Sequence, residues 1–165
     1  MVRRFRPDDA DGVAVALVDS SIAHVALEPE RYTVLDAATL ASTYRAGAQH
    51  DRGIPPDEAA TFVAELDGEV VGVVDIHLAR PGGAHRRLDY GFVPELAVAE
   101  RARRRGIGAA LMAAAEAWAI ARGCAYLALD HNARNDEAGR FYRERLGFRP
   151  AGIILVKPLG PESAG

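Results

Sequence analysis

The spacing of apolar and polar positions changes period several times along the chain, and each change marks a predicted element. Val2 to Arg6 alternates apolar and charged residues, the period of a short strand. Pro7-Asp8-Asp9 then offers a turn with helix-capping carboxylates before Val13, Ala14, Ala16, Leu17 and Val18, so a first helix follows. From Ser21 to Arg52 the pattern is helical but broken at Pro29; Asp36 stands as a cap before Leu40 and Tyr44 and predicts a second helix, and Pro55-Pro56 marks a loop. Thr61 to Leu66 and Glu69 to Leu78 are apolar-rich runs joined by Asp67-Gly68, a dipeptide that tolerates positive φ, and they predict an antiparallel hairpin.

Arg80-Pro81-Gly82-Gly83 ends that hairpin, and Arg87 to Val98 predicts a further strand. Pro94 interrupts it, which places the strand at an edge or in a bulge. From Gly106 to Arg122 the residues Ile107, Leu111, Ala114 and Trp118 recur at spacings of three and four, with Arg122 in the last turn and Gly123 as the stop, so a long helix is predicted. Alanines over its remaining surface let it lie close against a sheet. Ala125 to Leu129 reads as a short buried strand, and strand–helix–strand at this length implies a right-handed parallel crossover. Asn135 caps another helix, with Asp136 and Glu137 in its first turn and Gly147 at its end, and Ile153 to Val156 predicts a last strand. The fold class is α/β (α+β): one domain over residues 1–159 with a central, mixed, mostly antiparallel sheet, a parallel β-α-β crossover and flanking helices, and a flexible tail over 160–165.

Composition narrows the function classes. At 165 residues the chain fits one domain, and 49% apolar with 26% charged residues suits a folded globular protein. A net charge of −3 argues against a general nucleic-acid binder, which needs a positive excess to displace phosphate counterions, so any polyanion must be met locally. Cys124 is the only cysteine, which excludes an internal disulfide and a cysteine-rich metal site; it reads as a small buried residue. His24, His50, His77, His85 and His131 lack metal-ligand spacing, so no metal is expected, and His131 is the one placed near the ligand side. No run of 18 apolar residues and no signal-like N-terminus occurs, so a cytoplasmic protein without membrane contact is expected.

The stretch with chemistry in it is Val98-Ala99-Glu100-Arg101-Ala102-Arg103-Arg104-Arg105-Gly106-Ile107-Gly108. It leaves a predicted strand, passes a basic loop with two glycines and enters the first turn of the long helix. Helix N-termini carry unpaired N–H groups and a partial positive charge, and glycines let an anion approach the main chain, so the stretch is suited to a phosphorylated ligand. The arginines alone would describe a solvated basic loop; the glycines and the following helix favour phosphate. A P-loop is excluded because no Lys-Ser/Thr follows, and a dinucleotide site is disfavoured because the third glycine is missing.

The order of parts resembles the GCN5-related N-acetyltransferase (GNAT) family. Its signature R/Q-x-x-G-x-G/A is matched by Arg103 to Gly108 after a strand-terminal Val98. Its downstream segment is matched by Asn135, Ala138, Phe141-Tyr142 and Leu146-Gly147-Phe148. The two segments in order make a joint signal that neither makes alone, specific from Val93 to Phe148; Arg104 departs from the pattern, since many members carry glycine there.

The resemblance implies an acetyl-CoA-dependent N-acetyltransferase that moves an acetyl group to a primary amine by direct attack, or a non-catalytic acetyl-CoA-binding module of the same fold. It implies that main-chain N–H groups from Arg103, Arg104, Arg105, Gly106, Ile107, Gly108 and Ala109 cradle the pyrophosphate. Leu96, Ala97 and Val98 would flank the acetyl arm where the strand splays from its parallel neighbour, and Asn135, Ala138 and Tyr142 would complete the coenzyme A site. Tyr142 takes the place of the general acid and Glu95, three residues before Val98, that of the base, a role water could also fill. The acceptor, a small-molecule or peptide amine, is expected against Ser21–Arg52 and Arg80–Arg87, where Asp36, Asp51, Asp57 and Glu58 are candidate attractors of a cation. A homodimer through sheet edges also fits the resemblance.

Overall fold

The computed structural model describes residues 1–48, 53–82, 88–152 and 154–156. They fall into two compact units, Met1–Arg134 and Asn135–Gly165. The first unit holds β1 (Val2–Arg4), α1 (Ala10–Leu27), α2 (Ala37–Arg45), β2 (Ala59–Leu66), β3 (Glu69–Ala79), β4 (Tyr90–Val98), α3 (Ile107–Ile120) and β5 (Leu127–Leu129). The strands form one sheet in the order β1-β2-β3-β4-β5, antiparallel as far as β4, with β4 and β5 parallel and joined through α3.

The hairpin turns where the sequence predicts it. Asp67 and Gly68 both take positive φ, 53° and 84°, the conformation that matches the twist of the flanking strands. Asp36 caps α2, accepting the Thr39 N–H at 2.8 Å. At the chain start, Asp9 is buried and takes two bonds from the Arg3 guanidinium at 2.7 and 2.8 Å, which holds its carboxyl below the usual carboxylate range.

Side chains alternate across β3, and the two faces of the sheet meet different helices. Tyr44 of α2 donates to Asp75, which fixes that face of β3 as the α2 side. On the other face α3 lies tight against the sheet. A Cβ added at Gly72 would come 3.1 Å from Leu111, and one at Gly91 would come 2.9 Å from Ile76 and 3.2 Å from Ala119. Leu111, Met112, Ala115, Trp118 and Ala119 are the buried residues of α3, a stripe that includes Leu111 and Trp118 as predicted.

The helical segment Pro7–Leu27, which contains α1, is long and apolar enough to cross a membrane by length and composition, and its Ala10, Val13, Ala14, Ala16 and Leu17 are buried in the protein's own core. In the second unit, α4 (Asp136–Arg140) runs into a π-helical turn at Phe141–Arg145, and Gly147, at φ 75°, ends it. The last predicted strand is corrected: residues 154–156 form none and are exposed, and Ile153 lies outside the described residues. An apolar, β-branched run becomes a strand only where a neighbour supplies a ladder.

Candidate active site

The site is built on an irregularity in β4. Opposite it on β3, Asp75 pairs with Glu95 and His77 with Phe92, so Ile76 alone stands against both Val93 and Pro94. Pro94 therefore sits in a bulge of an interior strand, the second of the two outcomes its position allowed. On its other side β4 pairs with β5 only over Gly91–Val93 against Leu127–Leu129. Past Val93 the parallel ladder stops, and among the described residues β4 runs on alone along that edge.

The direction of the main chain beyond the bulge follows from the register. Ala99 N–H donates to the Val71 carbonyl at 2.8 Å, so by alternation Ala97 and Glu95 also bond towards β3. Leu96 and Val98 then turn their N–H and carbonyl groups to the edge that β5 has left. The Val98 carbonyl indeed accepts there from Arg103 Nε at 3.1 Å. Of the three predicted residues, Leu96 and Val98 offer main-chain donors to a ligand at this edge, and Ala97 does not.

The loop that follows folds back by a 3₁₀ turn at Glu100–Ala102 and enters α3 at Ile107, with Gly106 as N-cap at φ 81°. No side chain caps α3, so its first N–H groups, on Ile107, Gly108 and Ala109, have no protein acceptor of the capping kind. Arg104 has φ 63°, the left-handed region that glycine favours, which gives the physical reason that glycine is common in this place. Two of the arginines bond the protein itself. Arg103 bonds the Val98 carbonyl and, at 3.2 Å, the Asp19 carbonyl of α1, while Arg101 pairs with Glu69 at 2.7 Å. Asp19 also accepts the Glu100 N–H at 2.7 Å, so α1 braces the loop. Arg105 is exposed and makes no hydrogen bond or ion pair with a described residue.

On the α1 face, Glu95 opens into a cavity of about 240 Å³ whose other walls include Leu17, Ser20 and His24 of α1, and Tyr32 and Leu35 of the following loop. Burial first, and the Asp75 carboxylate directly across the ladder second, push the Glu95 carboxyl up to about 7. Asp75 is itself buried and accepts from the Tyr44 and Thr61 hydroxyls, each at 2.5 Å. A carboxyl poised near neutrality beside an open cavity has the properties of a general base.

The loop wall is held in place. Tyr32 stacks on His24 with ring centroids 5.1 Å apart and planes 24° apart, and its hydroxyl accepts from Asn132 Nδ2 at 3.3 Å. Ser21 Oγ donates to the Val18 carbonyl at 2.7 Å and accepts the Leu35 N–H at 3.1 Å. Burial pushes the His24 imidazole below its ordinary value, so at neutral pH it is uncharged.

In the second unit Asn135 caps α4, its side-chain oxygen accepting the Ala138 N–H at 2.9 Å. Tyr142 lies in the π-helical turn, a form that recurs at functional sites, with its ring edge-on to Phe141 and Phe148 at 5.2 and 5.9 Å. The Phe148 N–H closes the turn on the Tyr142 carbonyl at 2.9 Å.

Comparison with known proteins decides what this arrangement belongs to. The family model described as "Acetyltransferase (GNAT) family" matches residues 20–148. The chain belongs to the GNAT family. No curated protein matches it. Among solved structures, a point mutant of the BH1408 protein from Bacillus halodurans superposes with a TM-score of 0.82 at 22% identity, covering 96% of this chain and 99% of that one. A transcriptional regulator from Bacillus halodurans C-125 gives 0.72 at 24%, over 96% and 99%. The aminoglycoside N-acetyltransferase AAC(6')-Iy in complex with CoA gives 0.64 at 18%, over 96% and 98%. At these identities the likeness is one of fold.

Within the GNAT frame, the predicted residues of the first unit, Glu95 to Val98 and Arg103 to Ala109, lie on one continuous path of bulged strand, loop and helix start. Asn135, Ala138 and Tyr142 belong to the second unit. Two of the carboxylates singled out for the acceptor, Asp36 and Glu58, are engaged elsewhere. Asp36 caps α2, Glu58 pairs with Arg80 at 2.6 Å, and the Asp57 carbonyl accepts from Arg122; none of the three lines the cavity, and Asp51 lies outside the described residues, as do His50 and His85. His24 and Tyr32 escape a sequence reading because their pairing runs across the break at Pro29 and has no local motif. His131 is exposed, with Nδ1 2.9 Å from the Asn132 carbonyl. Cys124 is half-buried, and burial pushes its thiol up, away from nucleophile chemistry. No cluster of three metal-ligating side chains occurs among the described residues.

Proposed function

We propose that this GNAT protein is an N-acetyltransferase that moves an acetyl group from acetyl-CoA to a primary amine by direct attack. The observation that carries the reading is the stretch of β4 from Glu95 to Val98, where a carboxyl near neutrality opens to a cavity and outward main-chain N–H groups line an edge past the end of the β5 ladder. The α3 N-terminus and its glycine-capped loop hold the pyrophosphate of the donor through main-chain N–H groups, and Arg105 adds charge. Acetyl-CoA supplies the acetyl group as a thioester. That the family match spans both units supports reading residues 1–159 as one acetyltransferase domain. We read the protein as cytoplasmic.

Glu95 takes a proton from the ammonium of the acceptor, leaving a neutral amine. The amine nitrogen forms a C–N bond to the thioester carbon while the Val98 N–H meets the oxygen on which negative charge collects. As the C–S bond breaks, Tyr142 gives its proton to sulfur, and the proton shed by the nitrogen restores the phenol. The balance is one amide, one thiol and one proton released.

Two measurements test the reading. Acetyl-CoA at 100 times its Kd stabilises by about 2.7 kcal/mol, which raises the melting temperature by several degrees for a chain of this size; no shift at millimolar acetyl-CoA overturns it. Thiol release with an amine panel separates an enzyme from a binding module. Tyr142→Phe is expected to lower turnover by roughly 10² while leaving acetyl-CoA affinity intact, and full activity in that variant removes Tyr142 from the mechanism.

A further inference from the structure

The cavity beside Glu95 carries information about the acceptor that the donor site does not. We infer that it takes a compact primary monoamine with a flat, apolar body and no carboxylate, and that it disfavours polycationic acceptors such as aminoglycosides. The inference rests on the acetyl-transfer reading above and deepens it.

Size is the first argument. Clefts for drug-sized ligands run to roughly 300–1,000 Å³, and this one is about 240 Å³. Charge is the second. Among the described residues Glu95 is the only ionisable acid in the lining, and no arginine or lysine lines it. The nearby Glu28 is occupied, accepting from Asn132 Nδ2 at 2.8 Å with Arg31 at 3.9 Å. One carboxylate can meet one ammonium; further ammonium groups would be desolvated without partners, and an α-carboxylate would find no cation among the described lining residues, the Arg31 guanidinium lying over the Tyr32 ring at 5.6 Å and beside Glu28. Shape is the third. The His24 and Tyr32 rings, stacked with their planes 24° apart, stand beside Leu17 and Leu35, a wall that suits a planar or aliphatic body. The bonds on Tyr32 and Ser21 hold that wall before any ligand arrives, which lowers the ordering cost of binding.

The probes are 2-phenylethylamine, phenylalanine, which adds a carboxylate to the same frame, and tobramycin, each with saturating acetyl-CoA. Expected is a kcat/KM for 2-phenylethylamine at least tenfold above the other two. Tyr32→Ala raises the KM for 2-phenylethylamine several-fold to about tenfold without moving that for acetyl-CoA. Leu35→Arg, at an exposed position, weakens 2-phenylethylamine and improves phenylalanine. If phenylalanine or tobramycin turns over as well as 2-phenylethylamine, the inference is overturned while acetyl transfer stands. Calorimetric binding of 2-phenylethylamine to the protein alone separates the remaining outcomes. Binding that Tyr32→Ala weakens supports the assignment of the cavity even where none of the three is acetylated, a result that would count against acetyl transfer. Absence of both binding and turnover overturns the inference.

Discussion

The proposed donor loop and the proposed acceptor cavity share one strand and are made of different material. The donor side, from Leu96 to Ala109, is main chain: outward N–H groups on β4, a left-handed Arg104, a left-handed Gly106 and the uncapped start of α3. The acceptor side is side chain: Glu95, the His24–Tyr32 stack and two leucines, brought together from α1, a loop and β4. A main-chain site recognises what every donor of its class has in common, a pyrophosphate and a thioester. A side-chain cavity can be rebuilt residue by residue for a different amine without disturbing the fold. The bulge at Pro94 joins the two, turning Glu95 to one and Val98 to the other.

The largest expected effect separates the two sides. Glu95→Gln keeps size and hydrogen bonding but removes the proton acceptor, and general-base losses run to roughly 10²–10⁴ in kcat/KM. Acetyl-CoA affinity should stay within about twofold, since an amide in place of the carboxyl leaves the main-chain path of β4 unchanged. A Glu95→Gln enzyme of undiminished rate would hand the proton to water and leave the cavity carboxyl a merely structural group.

The difference in material also explains what could be read from the sequence. Main-chain geometry needs particular residues at particular steps, so the helix start at Gly106 and the Pro94 interruption could be read directly, as could the Asp67-Gly68 turn and the Asp36 and Asn135 caps. The acceptor wall depends on α1 running to Leu27 and on a loop folding back, so that His24 meets Tyr32, and nothing local announces such a contact. Asp75 is the sharpest case. In sequence it interrupts an apolar strand without any visible reason; in the fold it faces Glu95 and takes two hydroxyl donors. The four arginines look alike in sequence; in the fold Arg101 pairs with Glu69 and Arg103 bonds the Val98 carbonyl, contacts that no local pattern announces.

Next in size comes a break on the donor side. Gly106→Val places a β-branched residue at φ 81°, a strain of about 1–3 kcal/mol, which the loop escapes by abandoning its conformation. Acetyl-CoA binding should weaken roughly tenfold to a hundredfold by calorimetry, with the dissociation constant of the amine little changed. Equal losses for both ligands would mean that loop and cavity are one cooperative element.

The pH dependence sharpens the acceptor side. On the proposed mechanism turnover needs Glu95 ionised, so kcat/KM should rise with pH through an apparent value near 7. Asp75 contributes a like charge, and Asp75→Asn should move that limb to lower pH. Burial is the larger cause, so the limb should stop well short of the ordinary carboxylate value. Folding stability carries the same signature. The folded carboxyl holds its proton more tightly than the unfolded one, so its contribution is full below about 4.5 and is lost as pH rises through about 7. Chemical denaturation across that window should show a falling limb in the wild-type protein that Glu95→Gln abolishes.

The smallest effect concerns Arg104, and it tests the main-chain account most directly. A side chain held in the left-handed region costs about 1–2 kcal/mol, and glycine in its place relieves that cost but gives back about 0.5–1 kcal/mol in the entropy of the unfolded chain. The backbone balance favours Arg104→Gly by up to about 1.5 kcal/mol, a rise of at most roughly 3–6 °C in melting temperature. If main-chain groups supply most of the phosphate binding, removing this arginine should cost acetyl-CoA only a few-fold in affinity, and the loss should shrink as salt is raised. A lower melting temperature would show that the interaction of the Arg104 side chain within the protein outweighs the relief of φ 63°. A loss of binding as large as that of Gly106→Val would show instead that the arginine, rather than the backbone around it, grips the donor.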